Sequence, residues 1–188
     1  FNAITVDNDQ STNDMVGIFS TKRIKIGQNR NIDDPIIQKF DQALKKLSLN
    51  LAKQIIVDGE GAKKFITVKV LNAKSISSAK NIAFSVANSP LIKTAVAGED
   101  PNWGRIIMGI GKSGEKIDNE KLVIKIGDFV VAEKGSVSQE YNESKLKEYM
   151  EWDSIMIEIN LNQGNDTFEC YTCDFTKDYI EINTDYRN

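Results

Sequence analysis

Residues 35–57 read PIIQKFDQALKKLSLNLAKQIIV, and Ile36, Phe40, Leu44, Leu47, Leu51 and Ile55 recur there at intervals of four and three. That spacing is the period of an α-helix with one apolar face. Asp33 or Asp34 is placed to cap the first turn, and Pro35 suits the first helical position because its missing N–H would be unpaired there anyway. The pattern runs for about six turns and stops at Asp58-Gly59. A stripe of this length needs a surface to cover it, and the next segment offers one. "FITVKVLN" alternates, with Ile66, Val68 and Val70 on one face, as a half-buried strand does. The stripe is therefore expected to pack on a sheet that includes these three residues.

Between helix and strand stands "DGEGAKK", with Glu60 flanked by Gly59 and Gly61. A helix-to-strand turn needs at most one glycine for a positive φ and has no use for a carboxylate at its tip. Glycines on both sides also let backbone approach a ligand closely, and a loop-borne glutamate recognises ammonium groups. An exposed turn and a binding residue are both open readings of Glu60.

Elsewhere "FNAITVDNDQ" reads as a short strand with Ile4 and Val6 on one face, and "DMVGIFSTK" as a second extended segment. "SISSAKNIAFSVANS" reads as a helix with Ile76, Ala79, Ala83 and Val86 on one stripe, stopped by Pro90; its small residues predict close packing. "LIKTAVAGEDP" reads as a strand running into a loop, and "NWGRIIMGIG" as a short helix. A hairpin turning near Gly127-Asp128, a short helix at "NESKLKEYM" and two strands, "SIMIEINLN" and "DTFECYTCDF", complete the chain. Strands and helices without strict βαβ alternation imply an α/β or α+β sandwich. The chain is expected to divide near Ser89-Pro90 into residues 1–89 and 90–188. It opens on Phe1 inside a strand pattern, so it is expected to be a piece of a longer product.

The chain has no histidine. That removes a Ser-His-Asp triad, a Cys-His pair and a histidine-ligated zinc made by this chain alone. Acid-base chemistry is left to carboxylates, lysines, a terminal amine or another chain. Cys170 and Cys173 form a C-x-x-C, but on a strand an odd separation sends them to opposite faces, so two reduced thiols of a cytosolic protein are expected. With 24 basic and 27 acidic residues spread along the chain, no basic block grips a phosphate backbone, which argues against nucleic acid. No apolar run approaches the roughly 20 residues that span a bilayer. A soluble protein without a membrane anchor is expected.

The acidic loop "VDNDQSTND" offers Asp7, Asp9 and Asp14 as hard oxygen ligands, but it lacks the glycine and glutamate of an EF-hand loop. A polar turn explains it better, with Asn8 in the left-handed region and Ser11, Thr12 and Asn13 bonding nearby backbone. In "AGEDPNWGRII", Asp100 is placed to accept from the amides of the next turn and to pair with Arg105, a structural cap and clamp favoured over a direct substrate role.

Taken together, "FNAITVDNDQSTND", "IIVDGEGAKKF", "AVAGEDPNWGRI" and "CDFTKDYIEINTDYRN" resemble, in order and spacing, the ornithine acetyltransferase family, the glutamate N-acetyltransferases of arginine biosynthesis. The resemblance covers essentially the whole chain. The family pattern has glycine and threonine where Asn8 and Gln10 stand, threonine at Lys63, and serine or threonine where this chain has Asn188.

The resemblance implies a layered sandwich of the DmpA/ornithine acetyltransferase type, residues 1–89 being its β-chain part and residues 90–188 a C-terminal α+β lobe whose tail returns to the active site. It implies an N-terminal-nucleophile enzyme: a precursor cuts itself before a threonine, whose hydroxyl attacks and whose free amine serves as base. Acetyl passes from N-acetylornithine to that threonine, ornithine leaves, and glutamate takes the acetyl group as N-acetylglutamate. The oxyanion hole, a Thr-Gly pair, lies on the α chain. The nucleophile would precede Phe1, so no catalytic residue is assigned in this chain. The resemblance assigns substrate binding to Glu60, Asn183 and Asn188, no cofactor and no metal, an α2β2 heterotetramer with the α chain of the same precursor, and a cytoplasmic location. It leaves acetyl-CoA open as a second donor. A related aminopeptidase of the same class and a catalytically silent scaffolding chain are the alternatives.

Overall fold

The computed structural model describes residues 1–23, 27 and 31–185. The elements run α1 (Pro35–Val57), β1 (Phe65–Ala73), α2 (Ile76–Ala87), α3 (Pro90–Ala97), α4 (Trp103–Gly111), β2 (Val123–Ile126), β3 (Phe129–Glu133), β4 (Ser136–Val137), α5 (Glu143–Met150), β5 (Ser154–Asn160), β6 (Asp166–Cys173) and α6 (Lys177–Asp185). The strands form one six-stranded sheet in the order β4-β3-β2-β5-β1-β6. Among the strands of the described residues, only β1 and β5 pair in parallel; the other strand pairs are antiparallel. Position 89/90 falls between α2 and α3, and the sheet takes strands from both sides of it.

Alternation in β1 does what the sequence implies. Ile66, Val68 and Val70 stand opposite Ile155, Ile157 and Ile159 of β5 and point to one buried face. Ile124 and Ile126 of β2 extend the row. Helix α2 covers it with Ala79, Ile82, Ala83 and Val86, all fully buried. Its small side chains permit close approach: a Cβ on Gly109 of α4 would meet Val86 Cα at 3.4 Å and Ile92 Cδ1 at 2.8 Å. Each isoleucine or valine sealed in this layer contributes roughly 1.5–3 kcal/mol.

The expectation for α1 is corrected. The helix forms over the expected residues, and Asp34 caps it by accepting from Ile36 N–H at 2.9 Å. Its apolar stripe, however, faces outward: Phe40 is 59% and Leu47 56% exposed, and Ile36, Leu51 and Ile55 are exposed as well. Only Ala52 and Ile56 are buried. The C-terminal turns alone reach the sheet, at its edge strand β6, where Ile56 packs with Tyr171 and Cys173 and the Lys53 ammonium sits 4.2 Å from the Tyr171 ring centre.

Two other expectations change. "PLIKTAVA" is helix α3, with Pro90 at its first position, rather than a strand. Ser89 and Pro90 make a helix start there, so this proline opens α3, while α2 has already ended at Ala87. Residues 14–22 join no strand among the described residues and are exposed. The opening strand is reduced to a single bridge from Ile4 to Tyr171, held by Thr5 N–H to Tyr171 C=O at 3.0 Å and Tyr171 N–H to Ala3 C=O at 2.8 Å.

Candidate functional site

The turn after α1 is closed by Ala62 N–H donating to Gly59 C=O at 3.0 Å, which puts Glu60 at its tip and Gly61 at the position where φ is positive, +66°. Gly61 is needed twice over. A Cβ there would stand 2.9 Å from the Asp178 carbonyl carbon and 3.0 Å from Tyr179 Cα, because α6 lies directly on this backbone. Thr176 ties the two together by donating from Oγ1 to Gly61 C=O at 2.7 Å.

Asp174, at the exit of β6, fastens the other side of the turn. Its Oδ1 accepts from Lys63 N–H and Lys64 N–H, both at 2.9 Å, and only 2% of the residue is exposed. Buried amides require such a partner, and one carboxylate oxygen meets both. Lys63, where the family pattern has threonine, pairs across the surface with Asp178 Oδ2 at 2.9 Å. Asp178 lies in the first turn of α6, where a negative charge suits the helix dipole.

Helix α6 then carries Asn183 back over Glu60. Asn183 donates from Nδ2 to Glu60 Oε2 at 2.7 Å and to Tyr179 C=O at 2.9 Å. Two of the three residues assigned to substrate binding are thus in direct contact across 123 positions of chain. The third, Asn188, lies outside the described residues.

Tyr179 and Asp7 also belong to this place. Tyr179 donates from its hydroxyl to Asp7 Oδ2 at 2.9 Å, and burial, the Asp7 bond and the nearby charges of Asp7, Glu60 and Asp9 push the phenol up to about 12. It stays a donor at neutral pH. Sequence reasoning did not single out Tyr179. The available signal was the i,i+4 pair Tyr179 and Asn183, which places the two on one face of the helix.

Asp7, Asp9, Asp14, Asp58 and Glu60 rim one open hollow of about 730 Å³, together with Asn183. No lysine or arginine lines it among the described residues. The loop holding three of these carboxylates is the polar turn expected: Asn8 has φ +75°, Asp9 N–H donates to Asp7 Oδ1 at 2.9 Å, and Ser11 Oγ accepts from the amides of Asn13 and Asp14. Asn88 anchors it from α2 by accepting from Thr5 Oγ1 at 2.6 Å and donating to Asn8 Oδ1 at 2.8 Å. Among the described residues no group of carboxylates and thiols is arranged to hold a metal ion.

The "AGEDPNWGR" segment differs in detail from expectation. Asn102, not Asp100, caps α4 by accepting from Arg105 N–H at 3.1 Å, and Asp100 Oδ2 accepts from the Asn102 amide. Arg105 does not pair with Asp100; its guanidinium donates to Leu91 C=O at 2.7 Å and clamps α4 to α3. The role is structural, as expected, through other partners. Cys170 and Cys173 are free thiols on opposite faces, Cys170 in the main core and Cys173 under α1. Burial pushes the Cys170 thiol up to about 12 and raises Cys173 as well, so neither is a ready nucleophile.

The backbone has a close counterpart among solved structures: the arginine biosynthesis bifunctional protein argJ of Bacillus halodurans superposes with a TM-score of 0.90 at 39% identity, over 99% of this chain and 87% of that one. The model of the ArgJ family matches residues 1–188. This chain belongs to the ArgJ family. Relatives named arginine biosynthesis bifunctional protein ArgJ are 47% identical in Mesorhizobium japonicum and 45% in Brucella melitensis, each matched over the whole of this chain and 46% of its own length. The chain therefore spans about half the length of the curated relatives it matches. No helix among the described residues is long and apolar enough to cross a membrane.

Proposed function

We propose that this chain is the β-chain portion of a cytoplasmic enzyme that transfers acetyl from N-acetylornithine to glutamate. In this reading a threonine outside the present sequence attacks the acetyl carbonyl through its Oγ, and the threonine's own α-amine takes the hydroxyl proton. Collapse of the tetrahedral intermediate leaves an acetyl-threonine ester and releases ornithine with that proton. The neutral amine of glutamate then attacks the ester, giving N-acetylglutamate and restoring the threonine. Glu60 supplies the carboxylate that holds a substrate ammonium, and Asn183, fixed by Tyr179, holds Glu60 in place and faces the same hollow. Residues 1–89 carry Glu60, and the tail of residues 90–188 returns to it.

The observation that carries this reading is the Glu60–Asn183 contact on the rim of a hollow lined by carboxylates. An ammonium entering there meets negative charge on several sides and, at Glu60, a charge-assisted hydrogen bond. Two further findings support a partner α chain in an α2β2 assembly. Phe40, Leu47 and their neighbours leave an apolar face of α1 uncovered, larger than isolated surface residues would make. The match also covers 87% of one chain of the Bacillus halodurans structure but only 46% of whole relatives, as a protein held as two chains would give.

The test is an acyl-transfer assay on the full-length protein. Ornithine release from N-acetylornithine that depends on glutamate, with an acetylated threonine peptide trapped by mass spectrometry, is the expected result. Hydrolysis of small peptides without acetyl transfer would assign the chain to an aminopeptidase instead, and loss of both activities would leave a scaffolding chain. Acetyl-CoA in place of N-acetylornithine tests the second donor.

A further inference from the structure

Two lysines are buried among the described residues, and they are not alike. Lys64 Nζ meets the Glu99 carboxylate at 3.0 Å and the carbonyls of Met150 and Trp152. Lys93, in α3, is 0% exposed, and no described carboxylate lies within ion-pair distance of its ammonium. Its Nζ donates instead to Thr172 Oγ1 at 2.8 Å and to the Cys173 carbonyl, lies 3.9 Å from Cys173 Sγ, and sits 4.5 Å from the centre of the Phe175 ring. At its other end, the Lys93 carbonyl accepts from Phe175 N–H at 3.3 Å. Lys93 thus grips residues 172–175 from both sides.

An ammonium in such a place is costly, because desolvation outweighs the attraction of the Asp174 and Asp7 carboxylates beyond ion-pair distance, and an apolar side chain of similar length would fill the space without that cost. Burial accordingly lowers the pKa of Lys93. What the grip secures is the exit of β6. Asp174, inside the gripped segment, fastens the backbone beside the Glu60 turn. Phe175 stacks on Tyr179 with ring centres 4.7 Å apart and planes 18° apart, and Tyr179 in turn accepts from Asn183.

We propose that Lys93 is a positioning residue of this site: its buried ammonium fixes the strand-to-helix junction 172–175, and through the Phe175–Tyr179 stack it aims Asn183 at Glu60. Its part in catalysis rests on the acetyl-transfer reading; its part in the geometry does not.

A double-mutant cycle in the full-length enzyme tests it. Lys93→Met should raise KM for N-acetylornithine about five-fold or more while kcat changes less, and the same substitution in a Glu60→Gln background should add less than two-fold, since the contact it supports is already impaired. Equal multiplicative effects in both backgrounds, or wild-type kinetics from a folded Lys93→Met enzyme, overturn the proposal. Should Lys93→Met not fold, Phe175→Leu keeps the Lys93 hydrogen bonds and removes the ring that both Lys93 and Tyr179 meet; independence of Phe175→Leu and Glu60→Gln is then the overturning result. A crystal structure of whichever variant folds gives a readout without activity. The Asn183 Nδ2 to Glu60 Oε2 distance should open beyond about 3.5 Å, and its retention refutes the link. Lack of acetyl transfer by the wild-type enzyme would instead count against the acetyltransferase reading, with the crystallographic distance still deciding the role of Lys93.

Discussion

Gly61 lies beneath the first turn of α6 so closely that a Cβ on it would stand 3.0 Å from Tyr179 Cα. Two demands meet at one residue: a positive φ, and room for another backbone. They are separable by substitution. Gly61→Ala meets neither demand and should cost about 1–3 kcal/mol of stability while lifting α6 away from Glu60. Gly61→Asn tolerates the positive φ but still carries a Cβ. If contact with α6 dominates, urea melts should place Asn close to Ala; an Asn variant as stable as wild type would show that φ alone explains this glycine.

Glu60→Gln keeps the shape of the side chain and its place at the turn tip but removes the charge. If the proposed acetyl-transfer reading holds, folding and self-cleavage of the full-length protein should be nearly unchanged, because the residue contributes little to the core. Transfer should fall, since a charge-assisted bond contributes roughly 1.5–3 kcal/mol and a neutral one about 1 kcal/mol. The expected loss in kcat/KM is about ten-fold. Kinetics within two-fold of wild type for both N-acetylornithine and glutamate would return Glu60 to a turn residue.

The Cys170 thiol offers a pH test with a definite sign. Its folded pKa is raised to about 12, mainly by burial, above an ordinary value of 9.0. The folded chain therefore holds a proton that the unfolded chain gives up above pH 9. The stability contribution is complete below that pH and is lost as pH climbs toward 12. Chemical denaturation of wild type and Cys170→Ala at pH 8 and pH 10 should show a steeper fall for wild type. Equal falls would mean the thiol is hydrated in solution. Labelling by a thiol reagent at pH 8 should likewise wait for unfolding.

The uncovered face of α1 predicts a selective defect. Phe40→Glu with Leu47→Glu should leave the sheet and its melting transition intact, since neither side chain is buried against the chain. In the proposed α2β2 enzyme assembly should then fail, and native mass spectrometry should find separated α and β chains or half-size particles. An intact heterotetramer carrying both substitutions would move the subunit contact elsewhere.

Much of this architecture was legible because each signal was local. The period of 36–55 marks a helix, and alternation in 65–72 marks a strand. The covering of α1 was not legible, since periodicity reports that a helix has an apolar side and says nothing of what lies against it. Residues 91–97 misled for a related reason: a short apolar run fits strand or helix, and Pro90 was read as a stop for α2 when it is a start for α3. At the site, resemblance singled out Glu60 and Asn183 separately. Their contact depends on β6 lying beside β1 and on the junction at 172–175, both long-range consequences of packing. Tyr179 and Lys93 were missed because a tyrosine in a polar helix and a lysine in an apolar run carry no local mark of the partners they meet.

The place of β1 in the sheet, between β5 and β6, has a consequence in time. Both neighbours are synthesised after it, beginning at Ser154 and Asp166, so a strand made early must wait for strands made late. At ribosomal speeds of about 5–20 residues per second, Glu60 emerges several seconds or more before Asn183. Nascent chains that stall or are cut short within that interval carry the carboxylate without its clamp and the central strand without either flank. Such incomplete chains present a bare strand edge to whatever chaperone or protease reads it first.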